Sequence, residues 1–124
     1  MTPVEYSDLD SIIATIERYF HAHATGSGEA MREAFLPTAH VEGMRDGAFS
    51  SWTLDQYAAL FKGAPAADEA TRRRTIDSID ISGTAALAKA TLVHGDTTWT
   101  DYFVLLKTPA GWRIANKAYS SRKT

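Results

Sequence analysis

Thr100-Asp101-Tyr102-Phe103-Val104-Leu105-Leu106-Lys107 runs through Thr108-Pro109-Ala110-Gly111 into Trp112-Arg113-Ile114-Ala115-Asn116-Lys117. Two runs rich in aromatic and branched residues, joined by a Pro/Gly turn, predict an antiparallel hairpin. With Pro109 and Ala110 at the centre of the turn, a regular ladder pairs Lys107 with Trp112, Leu105 with Ile114, Phe103 with Asn116 and Asp101 with Ala118. One acid, Asp101, and one amide, Asn116, then interrupt a single apolar face.

Upstream, Gly95-Asp96 as a two-residue loop extends that face to Leu92 opposite Trp99, Ala90 opposite Asp101, Ala88 opposite Phe103 and Ala86 opposite Leu105. Small side chains there imply either close helix contact or unfilled volume. A buried acid needs partners or solvent, which favours volume and predicts a pocket. The other face carries Thr100, Tyr102, Val104 and Leu106 beside Leu87, Lys89 and Thr91, too apolar in its middle to be left in water. It predicts a homodimer through the outer face of the sheet.

Four strands follow from this pattern: Arg73–Ser82, Ala85–His94, Trp99–Lys107 and Trp112–Ser121. Before them the periodicity is helical. Leu9, Ile12, Ile13, Ile16, Tyr19, Phe20 and His23 form one stripe, with Ser7 or Asp8 as the cap. A short helix over Glu29–Phe35 stops before Pro37, and Asp46-Gly47 turns a hairpin between Ala39–Arg45 and Ala48–Trp52. Thr53-Leu54-Asp55-Gln56 has the form of a capping box opening a third helix with Tyr57 and Phe61, and residues 62–71 read as a loop. Helices first and a meander after them make the fold class α+β.

The 124 residues predict one domain spanning 1–124, and 44% apolar with 23% charged content is that of an ordinary globular protein. A formal charge of −2 gives no general attraction for nucleic acid, and cysteine is absent. No leader-like or membrane-length apolar segment occurs, so the expected location is cytoplasmic, without a membrane partner. His21 and His23 are two apart and His40 and His94 are distant, so no metal site is expected. Gly26 and Gly28 lack the preceding strand of a phosphate loop, and no cofactor is expected. Tyr19, Trp52, Tyr57 and Trp99 are the candidate aromatic walls for a small-molecule ligand, with Asp101 and Asn116 as polar anchors. In a catalytic alternative, His23 or His40 pairs with Asp101 for acid–base work.

Element order over nearly the whole chain resembles the nuclear-transport-factor-two-like superfamily of ketosteroid isomerases and SnoaL-like polyketide cyclases. The likeness is closest to the bacterial putative lumazine-binding group. It rests on Phe35-Leu36-Pro37-Thr38-Ala39, Asp46-Gly47 with Trp52, Ser78 to Ala85, Ala88-Lys89, Thr100 to Lys107 and Trp112 to Lys117. The resemblance implies a cone-shaped half-barrel: a strongly curved antiparallel or mixed sheet around N-terminal helices, a cystatin-like α+β roll, usually homodimeric. Ala39-His40-Val41-Glu42-Gly43 is similar to the isomerase strand that ends in the catalytic base, whose position falls here on Gly43. Asp101 is similar to the later oxyanion-stabilising acid, and Tyr19 lies in the corresponding helix. The expectation is a binding domain for a small, partly aromatic molecule, in which Asp101→Ala weakens binding and spares the fold. The alternatives are a lyase, isomerase or cyclase using Asp101 with a histidine or water, and a protein-interaction domain whose cavity is filled.

Overall fold

The computed structural model describes residues 3–124, with side chains from residue 8 onward. Helix α1 spans Pro3–Thr25, earlier at its start than the apolar stripe suggests. Asp8 therefore lies inside the helix rather than at its cap. Its Oδ1 accepts from the Trp112 indole at 3.1 Å and lies 2.8 Å from Lys107 Nζ; the Ser7 side chain falls outside the described residues. The inward stripe is Ile12, Thr15, Ile16 and Tyr19, all buried, whereas Leu9 is exposed.

Helix α2 (Gly28–Ala34) begins at Ser27, whose side chain accepts from Ala30 N at 3.0 Å. Strands β1 (His40–Arg45) and β2 (Ala48–Thr53) form the expected hairpin, with φ positive at both Asp46 and Gly47 as a type I′ turn requires. Helix α3 (Leu54–Ala58) carries the complete capping box between Thr53 and Gln56. It ends before Phe61. A 3-10 turn at Glu69–Thr71 leads into β3 (Arg73–Ser82), β4 (Ala85–His94), β5 (Thr97–Thr108) and β6 (Gly111–Lys123).

The six strands make one mixed sheet in the order β2-β1-β6-β5-β4-β3, in which β1 and β6 run parallel and the other pairs antiparallel. This is the α+β, nuclear-transport-factor-two-like architecture. The core lies between the helices and the inner face of the sheet, around Ile12, Ile16, Tyr19, Phe103, Leu105, Trp112 and Ile114.

The β4–β5 register is the expected one, with Leu92 opposite Trp99, Ala90 opposite Asp101, Ala88 opposite Phe103 and Ala86 opposite Leu105. The β5–β6 register is not. Lys107–Trp112 and Leu105–Ile114 pair as expected, but a bulge after Leu105 sets Val104 opposite Asn116, Phe103 opposite Lys117 and Asp101 opposite Tyr119. One extra residue on β6 exchanges its two faces from that point on. Asn116 is consequently exposed on the outside, and Lys117 is buried inside. None of the three inward alanines lines the cavity that holds Asp101. Ala86, Ala88 and Ala90 are buried in the core, and Phe103, opposite Ala88, packs edge-on to Tyr19 at 5.1 Å.

Candidate functional site

Asp101 stands in mid-β5 on the inner face and is 2% exposed. A carboxylate so far from water needs a counter-charge and donors. Tyr19 of α1 donates its hydroxyl to Asp101 Oδ2 at 2.6 Å, and Lys117 Nζ lies 3.5 Å from the same oxygen. Lys117, 5% exposed, donates to Tyr19 Oη at 2.7 Å and to Tyr57 Oη at 3.1 Å. Its ammonium is 4.8 Å from the ring centroids of both tyrosines, within cation–π range. Three elements, α1, α3 and the β5–β6 pair, thus converge on one buried charge.

Burial alone lowers the pKa of Lys117, but the Asp101 carboxylate and the Tyr57 phenol outweigh it, so the net direction is upward and the ammonium persists. Tyr19 is raised well above the ordinary phenol range, first by burial and then by Asp101 and Tyr57, and remains a proton donor. Its hydroxyl is fully used, donating to Asp101 and accepting from Lys117. Tyr57 differs. Its oxygen accepts from Lys117, and its hydroxyl meets that of Tyr19 rather than a carboxylate.

A cavity of about 190 Å³ opens above this network. Trp52 and Tyr57 stack at 5.9 Å on one side, and Trp99 leans on Tyr119 at 5.7 Å. Arg45 lies over the Trp52 ring at 5.4 Å and shares in the lining. Gly43, where the isomerase base position falls, has no side chain, and a Cβ there would meet the Tyr119 ring at 2.6 Å. The glycine is what lets that ring lie against β1.

Two histidines line the cavity further along α1 and β4. His23, one turn beyond Tyr19, lies with its ring centroid 5.5 Å from that of His94, and His23 Nδ1 and His94 Nε2 are enclosed without partners. Burial, followed by the positive charges of Lys117 and Arg74, brings His23 down to about 2. His94 falls to about 4, through burial and then Arg72 and Arg74, against the opposing pull of Asp68 and Glu69. Both rings are neutral near pH 7. The nearby acids are engaged by arginines: Arg72 Nε lies 3.0 Å from Asp68, and Arg74 bonds Glu69 in bidentate fashion at 2.6 and 2.8 Å.

Of the residues expected from sequence, Tyr19, Trp52, Tyr57, Trp99, Asp101 and His23 all line this cavity. His40 does not: its side chain is exposed at the start of β1, and its backbone N–H donates to Asn116 Oδ1 at 3.0 Å. Asn116 therefore braces a strand end on the outer side. No His–Asp dyad forms among the described residues; the partners of Asp101 Oδ2 are Tyr19 and Lys117. Sequence reasoning missed Lys117, Tyr119 and His94. The available signal was Tyr119, an aromatic that a regular ladder turns outward and a one-residue bulge turns inward. Among the described residues, no group of three or more His, Cys, Asp or Glu could hold a metal ion, and no helix is long and apolar enough to cross a membrane.

The family model for putative lumazine-binding proteins matches residues 7–120. The chain belongs to the putative lumazine-binding family. This family sits within the nuclear-transport-factor-two-like superfamily, as the solved structures that resemble the chain also indicate. A protein of unknown function with that fold from Methylobacillus flagellatus KT superposes with a TM-score of 0.81 at 28% identity, over 94% of this chain and 93% of the other. Another from Silicibacter pomeroyi DSS-3 gives 0.84 at 24% identity, over 98% and 100%. Among characterised proteins, Aldolase FrzH of Cladobotryum sp is 26% identical over 117 residues, 93% of this chain and 92% of that protein. In this member of the putative lumazine-binding family, the cavity is lined by the polar groups of Asp101, Lys117, Tyr19, Tyr57, Tyr119 and Arg45 together with two neutral histidines.

Proposed function

We propose that this ligand-binding domain takes a small, planar, partly aromatic molecule into its cone. The observation that carries the reading is a cavity of about 190 Å³ walled by Trp52, Tyr57, Trp99 and Tyr119, whose polar groups converge at Lys117. Rings on both sides supply apolar contact area, while a few fixed polar groups orient the ligand. Native mass spectrometry of the protein purified from its own host is expected to reveal a noncovalent small-molecule adduct, at least tenfold depleted in Trp52→Ala. A wild-type spectrum without any adduct counts against the reading, as does an adduct indifferent to Trp52.

A second reading, a lyase, isomerase or cyclase, draws on the buried Tyr19–Asp101–Lys117 chain and on the relative named as an aldolase. Asp101 Oδ2 already accepts from Tyr19 and lies beside an ammonium, so that oxygen is engaged. Acid–base turnover would therefore depend on His23, His94 or water. Carbonyl compounds turned over by the wild type and not by His23→Phe would favour this second reading.

The outer face leaves Leu87, Tyr102, Val104 and Leu106 between 39% and 47% exposed. We propose that this face pairs with a second copy of the chain, since adjacent apolar side chains on a sheet surface favour association. Sedimentation as a monomer at micromolar concentration would overturn the pairing.

A further inference from the structure

We infer that the ligand carries an anionic substituent of the carboxylate kind at one edge of its ring system, and that Arg45 receives it at the cavity mouth. The inference rests on the cavity reading above and adds the charge of the molecule that the cavity selects.

Strand alternation sends Val41, Gly43 and Arg45 of β1 to one face and Glu42 and Met44 to the other. Val41 is buried in the core, Gly43 lies against the Tyr119 ring, and Arg45 reaches the lining of the cavity. Their partners on β2, in the same order Trp52, Ser50 and Ala48, share that face. Between Arg45 and Trp52 the face therefore holds only small side chains. The arginine lies back along it and sets its guanidinium 5.4 Å from the centre of the Trp52 ring. Arg45 is exposed and yet lines the cavity, which puts it at the mouth.

Deeper in, the charges cancel: Lys117 stands 3.5 Å from Asp101, and His23 and His94 are neutral. Arg45 is the charge of the lining that remains, and among the described residues no ion pair or hydrogen bond engages its guanidinium. Glu42 points to the other face and accepts from Ser51 Oγ at 2.7 Å, while Asp46 is exposed in the turn and does not line the cavity. A guanidinium carries its donors in a planar fork that matches the two oxygens of a carboxylate, and an aromatic face beneath it restrains where the fork points. Trp52 also stacks on Tyr57. A ring system seated against this pair brings a substituent on its outer edge within reach of Arg45.

The probes are 2-naphthoate and 2-naphthamide, nearly the same shape but anionic and neutral at pH 7, with binding followed by titration calorimetry. The wild type is expected to bind the carboxylate about tenfold tighter than the amide, the scale of a charge-assisted hydrogen bond. Arg45→Gln should lose most of that preference, through weaker binding of the carboxylate. Arg72→Gln removes a positive charge outside the lining and should keep it. Equal affinity for the two probes in the wild type overturns the inference, as does a preference that survives Arg45→Gln. A preference lost equally in Arg45→Gln and Arg72→Gln also overturns it, since a diffuse positive field would then be the cause. The comparison within the wild type decides the matter even if a variant does not fold. Exclusion of both probes at millimolar concentration would overturn the cavity reading itself, a different outcome from entry of both without preference.

Discussion

At one end of the cavity Lys117 keeps its proton inside the protein; at the other, His23 and His94 give theirs up. Desolvation disfavours the charged form of all three. Lys117 has a carboxylate at 3.5 Å and two phenol oxygens at 2.7 and 3.1 Å, enough to reverse the effect of burial. Around the histidines the nearest charges are Lys117, Arg72 and Arg74, while Asp68 and Glu69 are committed to those arginines. Whether a buried base stays charged is thus set by which counter-charges the fold leaves uncommitted beside it. Depth of burial alone does not decide it.

The largest expected effect breaks the Lys117 end. Asp101→Ala leaves a buried ammonium without its counter-ion, a change that costs about 3–5 kcal/mol in comparable sites. Asp101 therefore cannot be truncated harmlessly, contrary to the reading from sequence. Urea unfolding at neutral pH should show the loss, and Asp101→Asn/Lys117→Met should recover most of it by removing both charges. A loss under about 1 kcal/mol in Asp101→Ala would mean that the tyrosines alone hold the ammonium.

The next effect sharpens the histidine end. His23 has a folded pKa of about 2, below the 6.5 of an unfolded histidine, so the neutral ring contributes stability that is complete above pH 6.5 and drains away as the pH falls. Lys117 has the opposite sign: its folded pKa is raised, so its contribution is complete below 10.5 and is lost only in strong alkali. Mild acid should weaken the histidine end first. Between neutral pH and about pH 4.5 the wild type should lose roughly 1–2 kcal/mol through His23, allowing for its partial exposure. His23→Phe should flatten that slope in urea midpoints measured at the two pH values; an unchanged slope would place the acid sensitivity elsewhere.

The two long hairpins explain how much of this could be read in advance. Gly95 takes a positive φ of 62°, the β4–β5 ladder is regular, and counting from its turn placed every inward residue correctly, Asp101 included. The helix stripe, the Asp46-Gly47 turn and the capping box of α3 were equally local signals, and they fixed the outline of the fold. Counting from the Pro109-Ala110 turn failed after Ile114, because a bulge has no strong local signature there: Ala115 carries neither the glycine nor the proline that would mark it. A regular ladder would turn Lys117, the charge that organises the site, outward. The closeness of His94 to His23 depends on how α1 crosses the sheet, which no local pattern encodes.

The smallest expected effect tests that bulge. Asn116 on a regular ladder would share the inner face with Asp101, and its removal would disturb ligand affinity. On the bulged strand its side chain is exposed and accepts only the His40 backbone N–H, at 3.0 Å, a single bond within reach of water. Such bonds contribute about 0.5–1.5 kcal/mol, toward the lower figure when solvent can replace the lost partner. Asn116→Ala should therefore shift the urea midpoint by the equivalent of about 0.5 kcal/mol and leave the adduct seen by native mass spectrometry undiminished. A tenfold loss of that adduct with stability intact would put Asn116 back at the cavity. It would also require Lys117 to leave the ring of partners that keeps it charged, and the alkaline end of the stability profile would move with it.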